Sequence, residues 1–194
     1  MTDSIIFDLD GTLWNTTSEI FKCYQQYFPN ITLWKLRKLM GKDTKQIAKE
    51  LYTEIETIQK IQDSEIQWLS DHPVEPYIGV VSLMQYLSTE KIPCYIVSNC
   101  QERYIECFLY TSGLAQFFRD WLCFGDNGCD KATNIKTIIE RHNLKNPIFV
   151  GDTEGDREAA SCNHIRFIWA GYGLGEVNKY DGIINHPLDL TRYI

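Results

Sequence analysis

SIIFDLDGTL, residues 4–13, is the stretch around which the fold is organised, because a short apolar run is followed at once by two aspartates one residue apart. Residues 5–7 have the pattern of a strand that is buried on both faces. Carboxylates are costly to bury unless they are paired or bind a metal. Asp8 and Asp10 therefore indicate a functional site at the end of a buried strand.

The two residues after this acid pair suit a turn. Gly11 permits a tight backbone turn, and Thr12 offers a hydroxyl that can hold it. Because Asp and Gly are common turn formers, the alternative interpretation is a strand that ends in an ordinary polar loop. The choice between the two depends on what the rest of the chain brings to the same place.

The composition is that of an ordinary folded protein. The chain has 194 residues, of which 44% are hydrophobic and 23% are charged. This length fits one domain, or one core domain that carries a modest insertion. The net charge of -7 at pH 7, without a dense basic run, predicts that nucleic acid is not a partner, since the phosphate backbone attracts clustered Lys and Arg.

The cysteine pattern and the hydropathy of the chain indicate the cellular compartment of the protein. The 7 cysteines form no Cys-x-x-Cys pair and are odd in number, which indicates reduced thiols rather than disulfides or a zinc site. No apolar run approaches the roughly 20 residues that span a bilayer, and the strand pattern near Ser4 leaves no room for a signal peptide. We expect a cytoplasmic protein without a membrane partner, either a monomer or a homodimer.

Residues 15–77 have a helical character throughout. Asp43, with Gln46 three residues later, resembles a capping box at the start of one of these helices. Apolar residues recur at helical spacing in four segments, at 20–28, 33–40, 47–51 and 55–69. We interpret 15–77 as a small helical domain inserted into a core that comprises residues 1–14 and 78–194.

From Gly79 onward, predicted helices and strands alternate with short connections. An alternation of this kind implies a parallel sheet with helices on both faces, so the predicted fold class is α/β. The strands after the insertion are predicted at 94–97, 121–124, 148–150, 166–169 and 182–184. The strand at 121–124 is predicted to open into a loop that contains Lys131.

In an open parallel sheet, ligands bind beyond the carboxyl ends of the strands. The polar residues at or after these ends are Asp8, Asp10, Ser98, Asn99, Lys131, Asp152 and Asp156. Four acids in one pocket would repel one another unless a cation intervened, and Mg²⁺ suits a site with few carboxylates and a phosphate. Lys131 and Ser98 are then free to bind the non-bridging oxygens of a phosphoryl group.

These segments also resemble the four motifs of the haloacid dehalogenase (HAD) superfamily of phosphate-handling enzymes. Residues 8–13 resemble the first motif, 97–99 the second, Lys131 the third and 151–156 the fourth. The helical segment lies where HAD phosphatases of the phosphoglycolate phosphatase and beta-phosphoglucomutase type carry a cap. The resemblance implies a Rossmann-like core, an inserted all-helical cap, and a magnesium-dependent phosphatase that acts on a small phosphorylated metabolite.

The resemblance further implies a role for each acid. Asp8 would be the nucleophile that forms an aspartyl phosphate, and Asp10 the general acid and base. Magnesium would be held by the Asp8 carboxylate, the Asp10 backbone carbonyl and Asp152. Asp156 is the fourth candidate residue of the metal site, where it anchors the metal's waters or Lys131.

A second group of residues is predicted to act on the substrate. Ser98 and Lys131 complete the catalytic set and also bind the phosphoryl group, and Thr12, Asn99 and Lys42 are the further substrate-binding candidates. Two alternatives stay open here. Ser98 could cap the following helix, and Lys42 could be the exposed start of a cap helix.

Other activities also stay open. A beta-phosphoglucomutase-like phosphotransferase would use the same residues but return the phosphoryl group to a sugar. A phosphonatase would need a Schiff-base lysine in the cap, for which Lys22 is available, whereas the acid Asp10 disfavours a dehalogenase. From another class, a phospho-aspartate signalling receiver or a catalytically silent binding module would share these residue types, although a receiver lacks an inserted cap.

Overall fold

The computed structural model describes residues 2–194 and confirms the α/β class. Its strands are β1 (Ser4–Phe7), β2 (Cys94–Ser98), β3 (Phe118–Cys123), β4 (Pro147–Gly151), β5 (Arg166–Ala170) and β6 (Gly182–Ile184). Within the described residues they form one six-stranded parallel sheet in the order β3-β2-β1-β4-β5-β6. β1 therefore lies inside the sheet, between β2 and β4.

The predicted first strand is buried on both faces. Ile6 pairs in register with Tyr95 on one side and Phe149 on the other, and all three belong to one hydrophobic cluster. Ile5 and Phe7, which flank Ile6, belong to a second cluster. Because successive side chains of a strand point to opposite faces, β1 packs against a core on each side of the sheet.

The chain between β1 and β2 begins with four helices: α1 (Thr17–Tyr27), α2 (Leu33–Arg37), α3 (Thr44–Leu51) and α4 (Ile55–Asp71). The predicted capping box is confirmed, since the Asp43 carboxylate accepts from the Gln46 N–H at 2.9 Å and the Gln46 side chain accepts from the Asp43 N–H at 3.2 Å. Between residues 2 and 194, no helix is both long and apolar enough to cross a membrane. The boundaries of a cap domain at 15 and 77 stay a prediction.

Five further helices connect the strands: α5 (Val80–Thr89), α6 (Tyr104–Ser112), α7 (Phe124–Asn127), α8 (Lys131–His142) and α9 (Glu154–Cys162). The third strand differs from the prediction, because it begins at Phe118 and because Phe124 starts α7 instead of ending the strand. The reason is local: the Asp126 carboxylate accepts from the Cys123 N–H at 2.7 Å and turns the chain. Lys131, predicted in a loop, is the first residue of α8.

Trp14 holds the junction between the inserted helices and the sheet. Its side chain is fully buried, its ring lies 5.4 Å from the Tyr104 ring, and its Nε1 donates to the Val74 carbonyl at 2.8 Å. Next to it, the Tyr77 N–H donates to the Leu13 carbonyl at 3.0 Å. The chain therefore enters and leaves the helical insertion side by side, at one point above the end of β1.

Candidate active site

The structure brings most of the predicted site residues to one edge of the sheet. Asp8 follows β1, Ser98 ends β2, and Asp152 follows β4. These three strands are neighbours and run in parallel, so their carboxyl ends meet. All three side chains are buried, as are those of Lys131 and Asp156. Polar side chains in such a place need partners within the site.

Lys131 is the centre of charge compensation. Its Nζ donates to Asp8 Oδ1 at 2.7 Å and to Asp156 Oδ1 at 2.5 Å. Burial disfavours the ammonium form, but the Asp156 and Asp8 carboxylates outweigh burial and raise the pKa of Lys131 above its ordinary value. Burial and the nearby Asp156 carboxylate raise the pKa of Asp8 well above its ordinary value, against the opposing effect of Lys131.

Asp156 anchors Lys131 through one oxygen and its own helix through the other. Its Oδ2 accepts from the Thr153 hydroxyl at 2.7 Å and from the Thr153 N–H at 2.9 Å, in a capping box at the start of α9. Both oxygens are thus engaged by protein donors. Of the two roles that the resemblance implied for Asp156, this geometry favours the contact with Lys131.

Asp152 is the acid that the protein leaves incompletely paired. Its Oδ2 accepts from the Leu174 N–H at 2.7 Å, whereas its buried Oδ1 has no hydrogen-bond partner within the described residues. One ligand atom each from Asp8, Asp152 and Asp156 lies within 4.8 Å of the others. Burial and the Asp156 carboxylate raise the pKa of Asp152 to about 7, which shows how costly its charge is without a cation.

Two glycines make room for the Asp152 carboxylate. A Cβ at Gly11 would lie 2.2 Å from Asp152 Oδ2, and a Cβ at Gly173 would lie 2.3 Å from Asp152 Cβ. Gly11 also has φ +82°, a conformation that side-chain-bearing residues rarely adopt. A buried oxygen without a partner, next to a second carboxylate and enclosed by glycines, fits a hard divalent cation such as Mg²⁺.

Asp10 has a different environment from the other acids. Its Oδ1 accepts from the Thr16 hydroxyl at 2.7 Å and from the Tyr104 hydroxyl at 3.0 Å. Burial raises the pKa of Asp10 to about 6, although these two hydrogen bonds and Lys131 oppose the shift. A carboxyl group with a pKa near neutrality can donate a proton in one step and accept one in another. Sequence reasoning missed Thr16 and Tyr104, which have no motif of their own.

A cavity of about 40 Å³ lies between this sheet edge and the inserted helices. Asp8, Asp10, Ser98 and Asn99 line it on the sheet side, and Leu36, Lys42, Gln62 and Glu65 are among the residues that line it on the other. Its volume corresponds to roughly three water molecules at about 10–15 Å³ each. The helices therefore lie close over the site.

The predicted substrate-binding residues have different placements. Ser98 does not cap the next helix, because that helix begins at Tyr104 and Ser98 Oγ instead accepts from the Cys100 N–H at 3.3 Å. Asn99 Nδ2 donates to the Gly41 carbonyl at 2.8 Å and so joins the sheet edge to the insertion. Ser98 and Asn99 both face the cavity, as their predicted roles require.

Lys42 and Thr12, which were predicted to bind substrate, and Lys22, the Schiff-base candidate, are not free to act at the cavity in this arrangement. Lys42 lines the cavity, but its Nζ forms an ion pair with Glu50 at 2.8 Å. Thr12 is fully buried, does not line the cavity, and its hydroxyl has no partner among residues 2–194. Lys22 is exposed on α1, forms an ion pair with Glu19 at 2.8 Å and does not line the cavity, a placement that disfavours a Schiff-base role.

Glu65 is a cavity residue that the motifs did not reveal. It lies on the buried face of α4, together with Ile58, Ile61, Gln62 and Leu69. Burial raises the pKa of Glu65 to about 8, and the Asp10 carboxylate adds to the shift. The available signal was a carboxylate at the helical spacing of an apolar face, where a solvated residue is not expected.

Comparison with known proteins gives the family and shows the same fold elsewhere. The family model of the haloacid dehalogenase-like hydrolases matches residues 5–170. No curated protein matches the chain significantly. A predicted phosphatase from Clostridium acetobutylicum superimposes with a TM-score of 0.85 at 21% identity, over 100% of this chain and 98% of that chain.

Two other solved structures have the same architecture. CbbY from Rhodobacter sphaeroides, in complex with phosphate, has a TM-score of 0.83 at 14% identity over 98% of this chain and 96% of its own. A predicted phosphoglycolate phosphatase from Haemophilus somnus 129pt has a TM-score of 0.82 at 17% identity over 99% and 97%. At these identities the likeness establishes the fold, and the family rests on the sequence model. That model spans β1 from its second residue, all of β2 to β5, and all four motifs that carry the site, so the chain belongs to the haloacid dehalogenase-like hydrolases.

Proposed function

We propose that the protein is a magnesium-dependent phosphatase that hydrolyses a small phosphomonoester through an aspartyl-phosphate intermediate. The observation that carries the proposal is the buried ion pair of Asp8 and Lys131, whose Asp8 lines one cavity together with Asp10. This set supplies a nucleophile, a cation for phosphoryl oxygens, and a proton donor and acceptor. The related structures named for phosphatase activity support the same reaction class.

Magnesium fits the acids of this site. Asp8, Asp152 and the backbone carbonyl of Asp10 would hold the ion, with the unpaired Oδ1 of Asp152 as a donor that the protein leaves free. When bound, Mg²⁺ supplies positive charge that offsets both the clustered carboxylates and the oxygens of the transferring phosphoryl group. Lys131 then remains bound to Asp156 and close to the same oxygens.

In the first step, an oxygen of Asp8 attacks phosphorus. Lys131 donates to Asp8 Oδ1, and Oδ2 accepts no side-chain hydrogen bond within the described residues, which leaves Oδ2 for the new bond. As the bond between phosphorus and the leaving oxygen breaks, Asp10 transfers its proton to that oxygen. Lys131 and the Ser98 hydroxyl bind the non-bridging oxygens, whose charge is stabilised by preorganised donors.

In the second step, Asp10 removes a proton from a water molecule. The resulting hydroxide attacks phosphorus, the Asp8–phosphorus bond breaks, and the Asp8 carboxylate is restored as inorganic phosphate leaves. The Thr16 and Tyr104 hydroxyls hold the Asp10 carboxyl group in one orientation through both transfers. The raised pKa of Asp10, about 6, allows both protonation states near neutral pH.

We further propose that residues 15–77 act as a cap that closes over the site. Contacts such as Asn99 with Gly41 tie the insertion to the sheet edge while the cavity is small. Release of such contacts, with bending near residues 15 and 77, would admit substrate. Closure would then exclude bulk water during phosphoryl transfer. Phosphoglycolate-like and sugar-phosphate-like substrates are both compatible with the core residues.

The proposal is tested by phosphate release from a panel of phosphomonoesters, with magnesium and with a chelator. We expect hydrolysis only with magnesium, and a loss of at least about 10³-fold in Asp8→Asn, which lacks the nucleophile. Asp71→Asn, an exposed aspartate at the end of α4, is the matched control and should retain the parent rate. A parent protein that releases no phosphate, or an Asp8→Asn variant as fast as the parent, would refute the proposal. Isomerised sugar phosphate without free phosphate would instead favour the mutase.

A further inference from the structure

Glu65 and Gln62 are buried polar residues at the cavity that the proposed chemistry does not use. They lie three residues apart on α4, so their side chains share one helix face. Both line the cavity that also contains Asp8 and Asp10, and they are 4% and 5% exposed. Buried polar groups usually have hydrogen-bond partners, so an atom of these side chains that lacks a protein partner is a candidate contact for a ligand.

Each of the two side chains leaves one hydrogen-bonding atom free. Gln101 Nε2 donates to Glu65 Oε2 at 2.9 Å, while Glu65 Oε1 accepts no hydrogen bond within the described residues. Thr44 Oγ1 donates to Gln62 Oε1 at 3.0 Å, which leaves the Gln62 Nε2 group without a protein acceptor between residues 2 and 194. The cavity wall therefore offers an acceptor and a donor on successive turns of one helix.

Glu65 lies near Asp10, whose carboxylate adds to the effect of burial in raising the pKa of Glu65. Tyr104 lies between the two regions, because it donates to Asp10 and because burial, then the Asp10 carboxylate and then the Glu65 carboxylate raise the pKa of its hydroxyl. Asp10 is the proposed proton donor to the leaving oxygen, so groups beside Asp10 face the departing alcohol rather than the phosphoryl group.

We propose that Glu65 and Gln62 bind a hydroxyl group of the leaving alcohol, so that the preferred substrate is the phosphomonoester of a small polyol or sugar. The inference rests on the proposed phosphatase function. A hydroxyl both donates and accepts, and therefore pairs with the free Glu65 oxygen, whether Glu65 is ionised or is the neutral carboxyl that its raised pKa favours, and with the free Gln62 donor.

Charge at the cavity also disfavours a second anion on the substrate. Among the described residues that line it, Lys42 is the single cation, and Lys42 already forms an ion pair with Glu50 at 2.8 Å. The burial that raises the pKa of Glu65 to about 8 acts without an opposing cation. The same environment would penalise a carboxylate on the substrate.

A matched set of two-carbon substrates tests the proposal: ethyl phosphate, 2-hydroxyethyl phosphate and 2-phosphoglycolate. They differ only in the group that would reach Glu65. We expect kcat/KM for 2-hydroxyethyl phosphate to exceed that for each of the others by about tenfold or more, the effect of one well-formed hydrogen bond in a buried site. Equal values for 2-hydroxyethyl and ethyl phosphate, or a preference for 2-phosphoglycolate, would overturn the inference while leaving the phosphatase intact.

Variants separate hydroxyl binding from a merely structural role. Glu65→Leu should lower kcat/KM for 2-hydroxyethyl phosphate to the value for ethyl phosphate in the same variant, whereas Glu65→Gln, which keeps an acceptor, should retain most of the preference. If Glu65 only latches α4 to Gln101, Glu65→Leu would reduce activity on all three substrates equally, and the inference would be wrong. Hydrolysis of none of the three, nor of p-nitrophenyl phosphate, would refute the phosphatase and this inference with it.

Asp63→Asn is the matched control on the same helix. Asp63 is exposed, does not line this cavity, and contacts Arg103 of the core at 3.6 Å. Its substitution weakens a contact between the insertion and the core without touching the cavity. We expect it to leave the order of the three substrates unchanged, and a changed order would assign the selectivity to cap docking instead of to Glu65.

Discussion

Replacement of Lys131 by methionine is the most direct test of the charge network. The substitution keeps an unbranched side chain of similar length but removes the ammonium that binds both Asp8 and Asp156. Removal of one partner from a buried ion pair costs about 3–5 kcal/mol, because the remaining charge stays buried and unpaired. We expect the free energy of unfolding at pH 7 to fall by that amount, and Tm by roughly 6–20 °C for a protein of this size.

The loss of unfolding free energy in Lys131→Met should be larger at high pH than at low pH. Burial and Asp156 hold the pKa of Asp8 above its unfolded-state value, and loss of Lys131, which lowers it, raises the pKa of Asp8 further. An acid with a raised pKa in the folded state destabilises the fold at pH values above its unfolded-state pKa; the penalty is complete above the folded-state pKa and shrinks as pH falls from the folded-state towards the unfolded-state value. The deficit of Lys131→Met relative to the parent should therefore be smaller at pH 5 than at pH 8.

Urea unfolding in the presence of a chelator measures the loss of unfolding free energy in Lys131→Met without interference from a bound cation. Lys136→Met is the matched control, since Lys136 is on the same helix, is 67% exposed, and contacts Glu140 at only 3.8 Å. Its substitution should change stability by less than about 0.5 kcal/mol. If Lys131→Met were as stable as Lys136→Met at pH 7, the description of Lys131 as the compensating charge of the site would be wrong.

Two further predictions concern Asp10 and Gly11. The pKa of Asp10 is about 6, and its protonated form donates to the leaving oxygen. The single-turnover rate of aspartyl-phosphate formation from ethyl phosphate should therefore fall as pH rises above about 6. The rate with p-nitrophenyl phosphate, whose leaving group needs no proton, should show no such fall. Gly11→Ala should weaken magnesium binding, measured by calorimetry, by about tenfold or more, because the added Cβ would lie 2.2 Å from Asp152 Oδ2. Gly128→Ala is the control, since Gly128 also has a positive φ but a Cβ there would meet no atom within 4 Å. It should cost about 1 kcal/mol of stability and leave magnesium affinity unchanged. A flat ethyl phosphate profile, or equal magnesium affinity in the two glycine variants, would contradict the respective assignment.

The residues that sequence reasoning placed together share one property: each is tied to the end of a strand or the start of a helix. Asp8, Ser98 and Asp152 lie at the ends of three apolar runs, and parallel strands bring such ends to one edge. Their proximity therefore follows from local pattern and sheet direction alone. The sequence predicts Lys131 in a loop because Asp130, which caps the start of α8, is also a common loop residue.

The residues that were missed depend on contacts between distant elements. Tyr104 has the apolar spacing of a core residue of α6, and only the approach of α6 to the end of β1 directs its hydroxyl to Asp10. The packing of Trp14 likewise depends on distant residues, since its side chain contacts Val74 and Tyr104. Helix periodicity identifies which face is buried, but not what that face meets.

Glu65 is a residue for which sequence periodicity and tertiary contacts must be considered together. Periodicity alone predicts that this position is buried, since it follows Ile58 and Ile61 on the apolar face of α4. A carboxylate on such a face costs free energy unless something compensates it, and the structure supplies only the Gln101 amide for one of its oxygens. Glu65 lines the same cavity as Asp10, where we propose that a substrate hydroxyl supplies the partner for its other oxygen. In the proposed mechanism the residues of the sheet edge carry out phosphoryl transfer, while the proposed choice of alcohol depends on α4, whose polar residues meet the cavity only when this helix packs over the sheet edge.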